Sequence, residues 1–557
     1  MTTVDAVVIG AGHNALITAA QLARAGWDVL VAERNDEVGG AMRSGQVTQP
    51  GLVHDLYATN INLFLASPAY AELGEDLARH GFSPVVSERS YSNVFPDGTC
   101  LRVYSDAERT ERLLGEHSQE DLAGWRGLHA RYRSFMQGLM PLYSTTLPSL
   151  RAAAGAARAV RSLGFFDTLE IARTLTASTR ELGDTWFSTP EAKALIATWG
   201  MHLDYGPDVS GGAMFPFLET FTDMEEGIAV TEGGISRLSE ALAAVVREAG
   251  GQVRTGTAVE RVLTDGRRAT GVRLAGGEEV HARRAVVAGT MPAHLFDDLL
   301  GGDPAVSEQT RTRTARYRHG PGTMVVHLAL DRPLDWAAEE ELSQFAYVHV
   351  APHVDDLART YQQSMAGLIP DDPLLIVGQT SQVDPSRSPD HRQVVWVQVR
   401  TLPSTIRGDA AGTIGATDWD EAKEAVADRV LDKLERYAPG VRDSVLARTV
   451  FSPLDLERSN PNLVGGDSVG GSHHLWQNFL FRPWPGASTY QMPVENLWLT
   501  GAATWPGGGT NGVSGSLCAR RILNPHPYRT RVTATAAGTA AAVGAAVLAG
   551  RSLAHHR

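Results

Sequence analysis

The run Gly10-Ala11-Gly12-His13-Asn14-Ala15 separates a buried-strand pattern, Val4 to Ile9, from a helical pattern carried by Leu16, Ala19, Ala20 and Ala23. Gly26 is placed to end that helix, Trp27 to Ala32 reads as a second strand, and Glu33 closes it. Strand, glycine turn, helix, strand and acid come in the order of a dinucleotide-binding unit. Each residue has a task. Gly10 permits the tight turn, Gly12 lets a diphosphate approach the backbone, and Ala15 lets the helix lie close to the strand. The amides of His13 and Asn14 begin the helix, whose positive end favours an anion. Glu33 is spaced to accept hydrogen bonds from ribose hydroxyls.

The continuation Glu33-Arg34-Asn35-Asp36-Glu37-Val38-Gly39-Gly40-Ala41-Met42 selects the kind of dinucleotide. Its Gly39-Gly40 pair after the acid resembles the extension found in flavoproteins of the glutathione-reductase-like superfamily, which implies FAD rather than NAD. Arg34 could lie over the adenine, reach a phosphate, or be solvated. The ring end of an extended cofactor needs a second segment. Asn496 to Arg520 supplies the candidate: a strand pattern at Leu497 to Thr500, then Gly501-Ala502, the glycines 507–509, Thr510, and a helix starting near Gly512-Val513. A third segment places a helix after Glu232-Gly-Gly, a strand at Gly251 to Val259, a hairpin turning at Asp265-Gly266, and a strand at Arg284 to Gly289. No second glycine fingerprint follows a strand, so a separate NAD(P) domain is not expected.

These segments together resemble the phytoene desaturase-like flavoproteins. Glu435-Arg-Tyr-Ala-Pro-Gly-Val-Arg-Asp-Ser, Pro453-Leu-Asp-Leu-Glu-Arg and Gly486 to Gly512 resemble, within them, the subgroup called pyridine nucleotide-disulfide oxidoreductase domain-containing protein 2. The likeness runs over most of residues 4 to 523. It implies an α/β chain: a glutathione-reductase-like, Rossmann-type FAD-binding domain with a mixed-sheet substrate domain and a helical cap. The expected division is 1–70, 225–292 and 487–527 for FAD, 71–224 and 293–486 for the substrate, and 528–557 as an Ala-rich tail. Val259 matches the position whose backbone cradles adenine. The block 71–224 is helical in character, with helical patterns at Ala152 to Arg161 and Leu169 to Leu182 flanking Gly164-Phe165-Phe166, while Thr323 to Leu330, Leu374 to Thr380 and Gln393 to Thr401 in the block 293–486 read as strands. In the family, a helical region near this place touches membrane and admits lipid-like substrates.

The expected activity is dehydrogenation or desaturation of a small apolar, polyene- or isoprenoid-like substrate by hydride transfer to flavin N5. Oxygen, a quinone, another carrier or product is the expected electron acceptor. The alternatives are an amine-oxidase-like flavoprotein and a flavin-bound interaction protein without turnover. Flavin dehydrogenation asks little acid–base help of the protein. His54 is the candidate for proton uptake, with His202, Tyr205, His473, His474 and Trp505 as pocket candidates.

The 50 basic and 63 acidic residues of the 557 give a net charge of −13, which speaks against nucleic acid as the main partner. Cys100 and Cys518 are far apart and form no CxxC pair, and no zinc pattern or GxSxG elbow exists. No basic region precedes an apolar stretch at the start, so a cytoplasmic protein is expected, with peripheral membrane contact. The uncharged run 532–550 is long enough to span a bilayer but weakly hydrophobic, and reads as a surface helix.

Overall fold

Buried apolar runs and helical stripes assemble into two seven-stranded sheets with helices packed against them. The computed structural model describes residues 2–350 and 352–524. Residues 1–519 form one unit. Of the second unit, 520–557, the structure describes only 520–524, including the end of the helix that closes at Leu523. The run 532–550 lies outside the described residues.

In the first sheet, Gln252–Arg254, Val29–Ala32, Thr2–Ile9 and Glu279–Ala288 lie side by side in parallel, and Leu497–Leu499 joins the far edge, also parallel. Parallel strands are covered on both faces, so they read as continuous apolar runs. Alternation between apolar and polar residues is absent from the first strand for that reason: Ala6, Val7 and Val8 are all 0% exposed. The antiparallel pair Val259–Thr264 and Ala269–Leu274 extends the sheet from the first part of Glu279–Ala288. The helices His13–Arg24 and Ser236–Glu248 pack on one another beside it.

One sequence expectation needs correction. The segment 251–259 is not one strand. Gln252–Arg254 ends at a turn in which Gly256 has φ +59°, and Val259 begins the next strand, paired to Leu274. Three backbone bonds force the break: Glu33 N–H reaches Arg254 O at 2.9 Å, Gly256 N–H reaches Asn35 O at 2.8 Å, and Thr257 N–H reaches Glu33 O at 2.7 Å. The chain therefore wraps the end of the Glu33 strand.

The second sheet runs in the order Val445–Phe451, Gly322–Leu330, Gln393–Leu402, Leu374–Gly378, Tyr347–Val350, Arg89–Val94, Cys100–Tyr104. It is antiparallel except where Tyr347–Val350 meets Arg89–Val94. One face carries Val326, Leu328, Val348, Val377 and Val397 against the helix Trp419–Tyr437. The other face carries Tyr91, Val325, Tyr347 and Trp396 against the helices Gln119–Gly138, Pro190–Gly200 and Met214–Glu226.

The block 71–224 is thus not helical throughout. It also contributes the strands Pro84–Ser87, Arg89–Val94 and Cys100–Tyr104. The expected helix Leu169 to Leu182 is two helices, Phe165–Thr176 and Thr179–Trp186. Ser178 begins the second with a capping box: its side chain accepts from Glu181 N–H while Glu181 accepts from Ser178 N–H. Among the described residues no helix is long and apolar enough to cross a membrane.

Candidate active site

The glycine turn, the acid and the Gly39-Gly40 turn meet in three dimensions. Glu33 is buried, and its carboxylate accepts the amides of Ala11 at 2.8 Å and Asn35 at 2.9 Å. Gly12 bridges to Gly39 in parallel, and Gly39 N–H donates to Ala11 O at 2.9 Å. Met42 is buried and its carbonyl accepts from Ser239 Oγ at 3.0 Å; Ala41 O accepts from Ala58 N–H at 3.4 Å. Arg34 is exposed. Val259 stands two residues past Thr257, which holds the Glu33 carbonyl. Asn14 Nδ2 lies 2.8 Å from His13 Nε2, and burial pushes the His13 imidazole down to about 4.

The second glycine segment converges on the same place. Asn14 Oδ1 accepts from Gly515 N–H at 2.9 Å, and Thr18 Oγ1 lies 3.0 Å from both Asn14 O and Gly515 O. The N-terminal ends of the helices His13–Arg24 and Val513–Leu523 are therefore held together. Ser514 Oγ accepts Gly501 N–H at 2.8 Å, and Asn511 Oδ1 accepts Val513 N–H at 2.9 Å. Thr510 is buried, Gly512 turns at φ +68°, and the Ala502 carbonyl accepts from Arg482 Nε at 2.8 Å.

This arrangement fits FAD. The helix His13–Arg24 has no side-chain cap and no acid in its first turn, so its amides face whatever stands before them. A Cβ added at Gly12 would meet nothing within 4 Å, and the same holds at Gly501. Ala11 to Ala15 would hold the diphosphate, Glu33 the ribose end, and Gly501 to Val513 the ring end.

His54 lies in a short strand opposite Gly45. Its Nε2 is 2.7 Å from Thr48 Oγ1, and its ring meets that of His327 edge-on at 5.2 Å. The side chain is sealed from solvent, and burial pushes it down to about 4. Its neighbour Asp55 is the hub of a buried network. The Asp55 carboxylate accepts from Ser44 Oγ, Thr59 Oγ1 and Ile235 N–H, and pairs with Arg387 Nη1 at 2.7 Å. Arg387 also reaches Asp384 at 3.1 Å and Thr231 O at 2.8 Å.

Around the ring-end loop stand Trp505, Phe479 and Tyr143. Phe479 stacks on Trp505 at 5.2 Å, and Tyr143 meets it edge-on at 5.6 Å. Buried Arg482 ties this loop to 470–472 through the carbonyls of Ala502, Gly470 and Ser472. His473 Nε2 accepts Gly508 N–H at 3.0 Å, and the His473 backbone N–H donates to Asp204 at 2.9 Å. Tyr205 OH donates to the His473 carbonyl, and His474 lies 3.4 Å from Asp204 Oδ2. His473, His474 and Tyr205 thus brace the loop.

Sequence reasoning missed Glu219 and Asp223. Both are buried on the helix Met214–Glu226, one turn apart among Phe217, Phe221 and Met224. Burial raises Glu219 to about 7, and burial then Glu219 itself push Asp223 well above the usual carboxylate range. Asn62 donates to Asp223 at 2.8 Å, and Asn60 approaches Glu219 at 3.4 Å. The available signal was two acids at helical spacing in an otherwise apolar run. Among the described residues no group of three or more His, Cys, Asp or Glu could hold a metal.

Residues 16–523 match the family described as flavin containing amine oxidoreductase. The chain belongs to that family. It is an FAD-dependent oxidoreductase, and the resemblance to the phytoene desaturases holds. The pyridine nucleotide-disulfide oxidoreductase domain-containing protein 2 of Rattus norvegicus is 28% identical, over 93% of each chain. One of the subunits of the limonene dehydrogenase of Castellaniella defragrans is 26% identical, covering 90% of this chain and 91% of its own. The lycopene-forming phytoene desaturase of Paracoccus sp. is 26% identical, covering 92% and 95%. Among solved structures, an oxidoreductase from Methanosarcina mazei superposes with a TM-score of 0.59 at 16% identity, covering 94% of this chain and 100% of its own. Putrescine oxidase bound to putrescine gives 0.56 at 15% identity, covering 93% and 98%. At such identities the structural likeness speaks for the fold, and it is the Rossmann-type FAD fold expected.

Proposed function

We propose that this flavoenzyme dehydrogenates an apolar, terpene- or polyene-like substrate and leaves a new carbon–carbon double bond. Bound FAD supplies the hydride acceptor, flavin N5. The chain's own part is to orient the substrate and exclude water. The aromatic group Trp505, Phe479 and Tyr143 beside the glycines 507–509 carries this reading, because it offers apolar faces where the ring end of the cofactor belongs. The limonene and phytoene activities named for two relatives agree with it.

A second reading, oxidation of an amine, draws on the same aromatic group and on the putrescine oxidase neighbours. Those neighbours are 15% identical and speak for the fold alone, whereas the relatives named for limonene and phytoene match over 90% or more of both chains. The apolar reading is therefore preferred.

The substrate's route is proposed to start at the helical hairpin Leu150–Leu163 and Phe165–Thr176. Leu150, Phe165, Phe166 and Leu169 are exposed there, flanked by exposed Arg151, Arg158 and Arg161, with Asp167 beside Phe166 and Arg173 paired to Glu170 at 3.5 Å. Apolar tips with an excess of basic over acidic neighbours suit a lipid surface. Electrons are proposed to leave to oxygen or a quinone.

The test is anaerobic mixing of the holoenzyme with separate panels of monoterpenes, polyenes and primary amines, read by loss of the oxidised-flavin absorbance. Bleaching by a terpene or polyene and not by amines is expected. Bleaching by amines alone would transfer the assignment to the second reading.

A further inference from the structure

The inner face of the second sheet holds a chain of hydrogen bonds that fixes the protons on two histidines. Asn93 Nδ2 donates to Ala194 O at 3.2 Å and to Thr198 Oγ1 at 3.0 Å, and a carbonyl can only accept. The Asn93 amide is thereby oriented, and its Oδ1 faces His349 Nδ1 at 3.1 Å. His349 must carry its proton on Nδ1. Burial pushes His349 down to about 3, so the ring is neutral and its Nε2 is a bare lone pair. That lone pair lies 3.1 Å from His202 Nε2, which must therefore be the N–H. Burial first, then His349 and Arg400, hold His202 well below the ordinary histidine value, so it too is neutral. Its remaining nitrogen, Nδ1, is then a lone pair.

The position suits a reacting group. His202 follows the helix Pro190–Gly200, and its ring packs on Trp199 at 4.4 Å. Two and three residues on, Asp204 and Tyr205 hold the 473–474 segment, which holds Gly508 of the ring-end loop. His202 is partly accessible, unlike His349, which is fully buried. On the same inner face Tyr91 is fully buried, with its hydroxyl turned toward Thr220 and Trp199.

We infer that His202 Nδ1 is the proton acceptor of the dehydrogenation, with His349 and Asn93 as positioning residues that keep it unprotonated. This rests on the dehydrogenase reading above. A hydride leaves one substrate carbon with its electron pair for flavin N5. The neighbouring carbon loses a proton to His202 Nδ1, whose lone pair forms the new N–H bond, and the C–H pair becomes the second bond of C=C. The imidazolium then returns its proton to water. A weak base is sufficient, because loss of hydride makes the neighbouring C–H strongly acidic.

Two measurements on the FAD-loaded enzyme test it. The first is ¹⁵N NMR of histidine-labelled protein, with the His202 signals assigned from His202→Gln. The expected result is a bare Nδ1 and a protonated Nε2 on His202, lost in Asn93→Leu. A proton on Nδ1 in the unaltered enzyme overturns the proposal without any substrate being involved. The second is the rate of anaerobic flavin reduction by whichever monoterpene or polyene bleaches the enzyme. His202→Gln is expected to slow it about 100-fold with the KM little changed. An unchanged rate overturns the proposal and leaves the dehydrogenase reading standing. Failure of every such probe to bleach the unaltered enzyme fails that reading and this proposal with it.

Discussion

Gly12 has a φ of −68°, which any residue adopts, and open space where a side chain would stand. A Gly12→Val chain therefore folds without strain but fills the volume the diphosphate needs. FAD affinity is expected to fall at least about tenfold, or about 1.4 kcal/mol, in a flavin-fluorescence titration, with the melting temperature of the cofactor-free protein unchanged. Glu219 gives a prediction in pH. Its folded value, about 7, lies above the ordinary 4.5, so the native state binds more protons between those limits. Stability present below pH 4.5 is lost as pH rises through 7. Melting curves should show the unaltered enzyme losing on the order of 3 kcal/mol over that range relative to Glu219→Gln. A parallel pair of curves would contradict the burial of that carboxyl. The two residues differ in how legible they were. Gly12 and Glu33 belong to one local chain pattern whose spacing alone states their use. Glu219 looks like an ordinary helix acid until the sheet beneath it and Asn60 beside it are in place.

At the scale of elements, the helices His13–Arg24 and Val513–Leu523 meet at a tight junction. A Cβ at Gly515 would stand 2.5 Å from Asn14 O, well inside contact distance. Gly515→Leu should push the two helix ends apart and abolish retention of FAD through gel filtration, whereas Ser516→Ala nearby should retain it. Both helices were readable from apolar periodicity and glycine punctuation. Their contact was not, because some five hundred residues of chain separate them (Asn14 to Gly515) and only the folded sheet brings them together. The break between Phe165–Thr176 and Thr179–Trp186 was missed for the opposite reason. The apolar stripe continues across it, and the capping box at Ser178 is a short polar signal that periodicity hides. The strand expected over 251–259 failed similarly, at a turn imposed by backbone bonds to Glu33 and Asn35.

For the whole molecule, the central strands of the first sheet, Thr2–Ile9, Val29–Ala32 and the second half of Glu279–Ala288, were legible, since parallel strands buried on both faces leave apolar runs. The second sheet was only partly so. Gly322–Leu330, Leu374–Gly378 and Gln393–Leu402 are wholly buried and read plainly, while Arg89–Val94 and Cys100–Tyr104 carry polar residues and were absorbed into a block read as helical. The buried Asp55–Arg387 pair joins the segment after the Gly39-Gly40 turn to the chain between two strands of the second sheet. Removing one partner of such a pair typically costs about 3–5 kcal/mol, so the segment after the Gly39-Gly40 turn and the second sheet are tied by more than apolar contact. The central claim is that this assembly removes two hydrogens from adjacent carbons of an apolar molecule. The most direct measurement is an anaerobic single turnover of the oxidised holoenzyme with a monoterpene or polyene, with the product analysed by mass spectrometry. A product lighter by two hydrogens, with a new carbon–carbon double bond and formed in step with the loss of flavin colour, is the predicted result. Full loss of colour with the hydrocarbon recovered unchanged, or with an amine as the sole molecule oxidised, would contradict it.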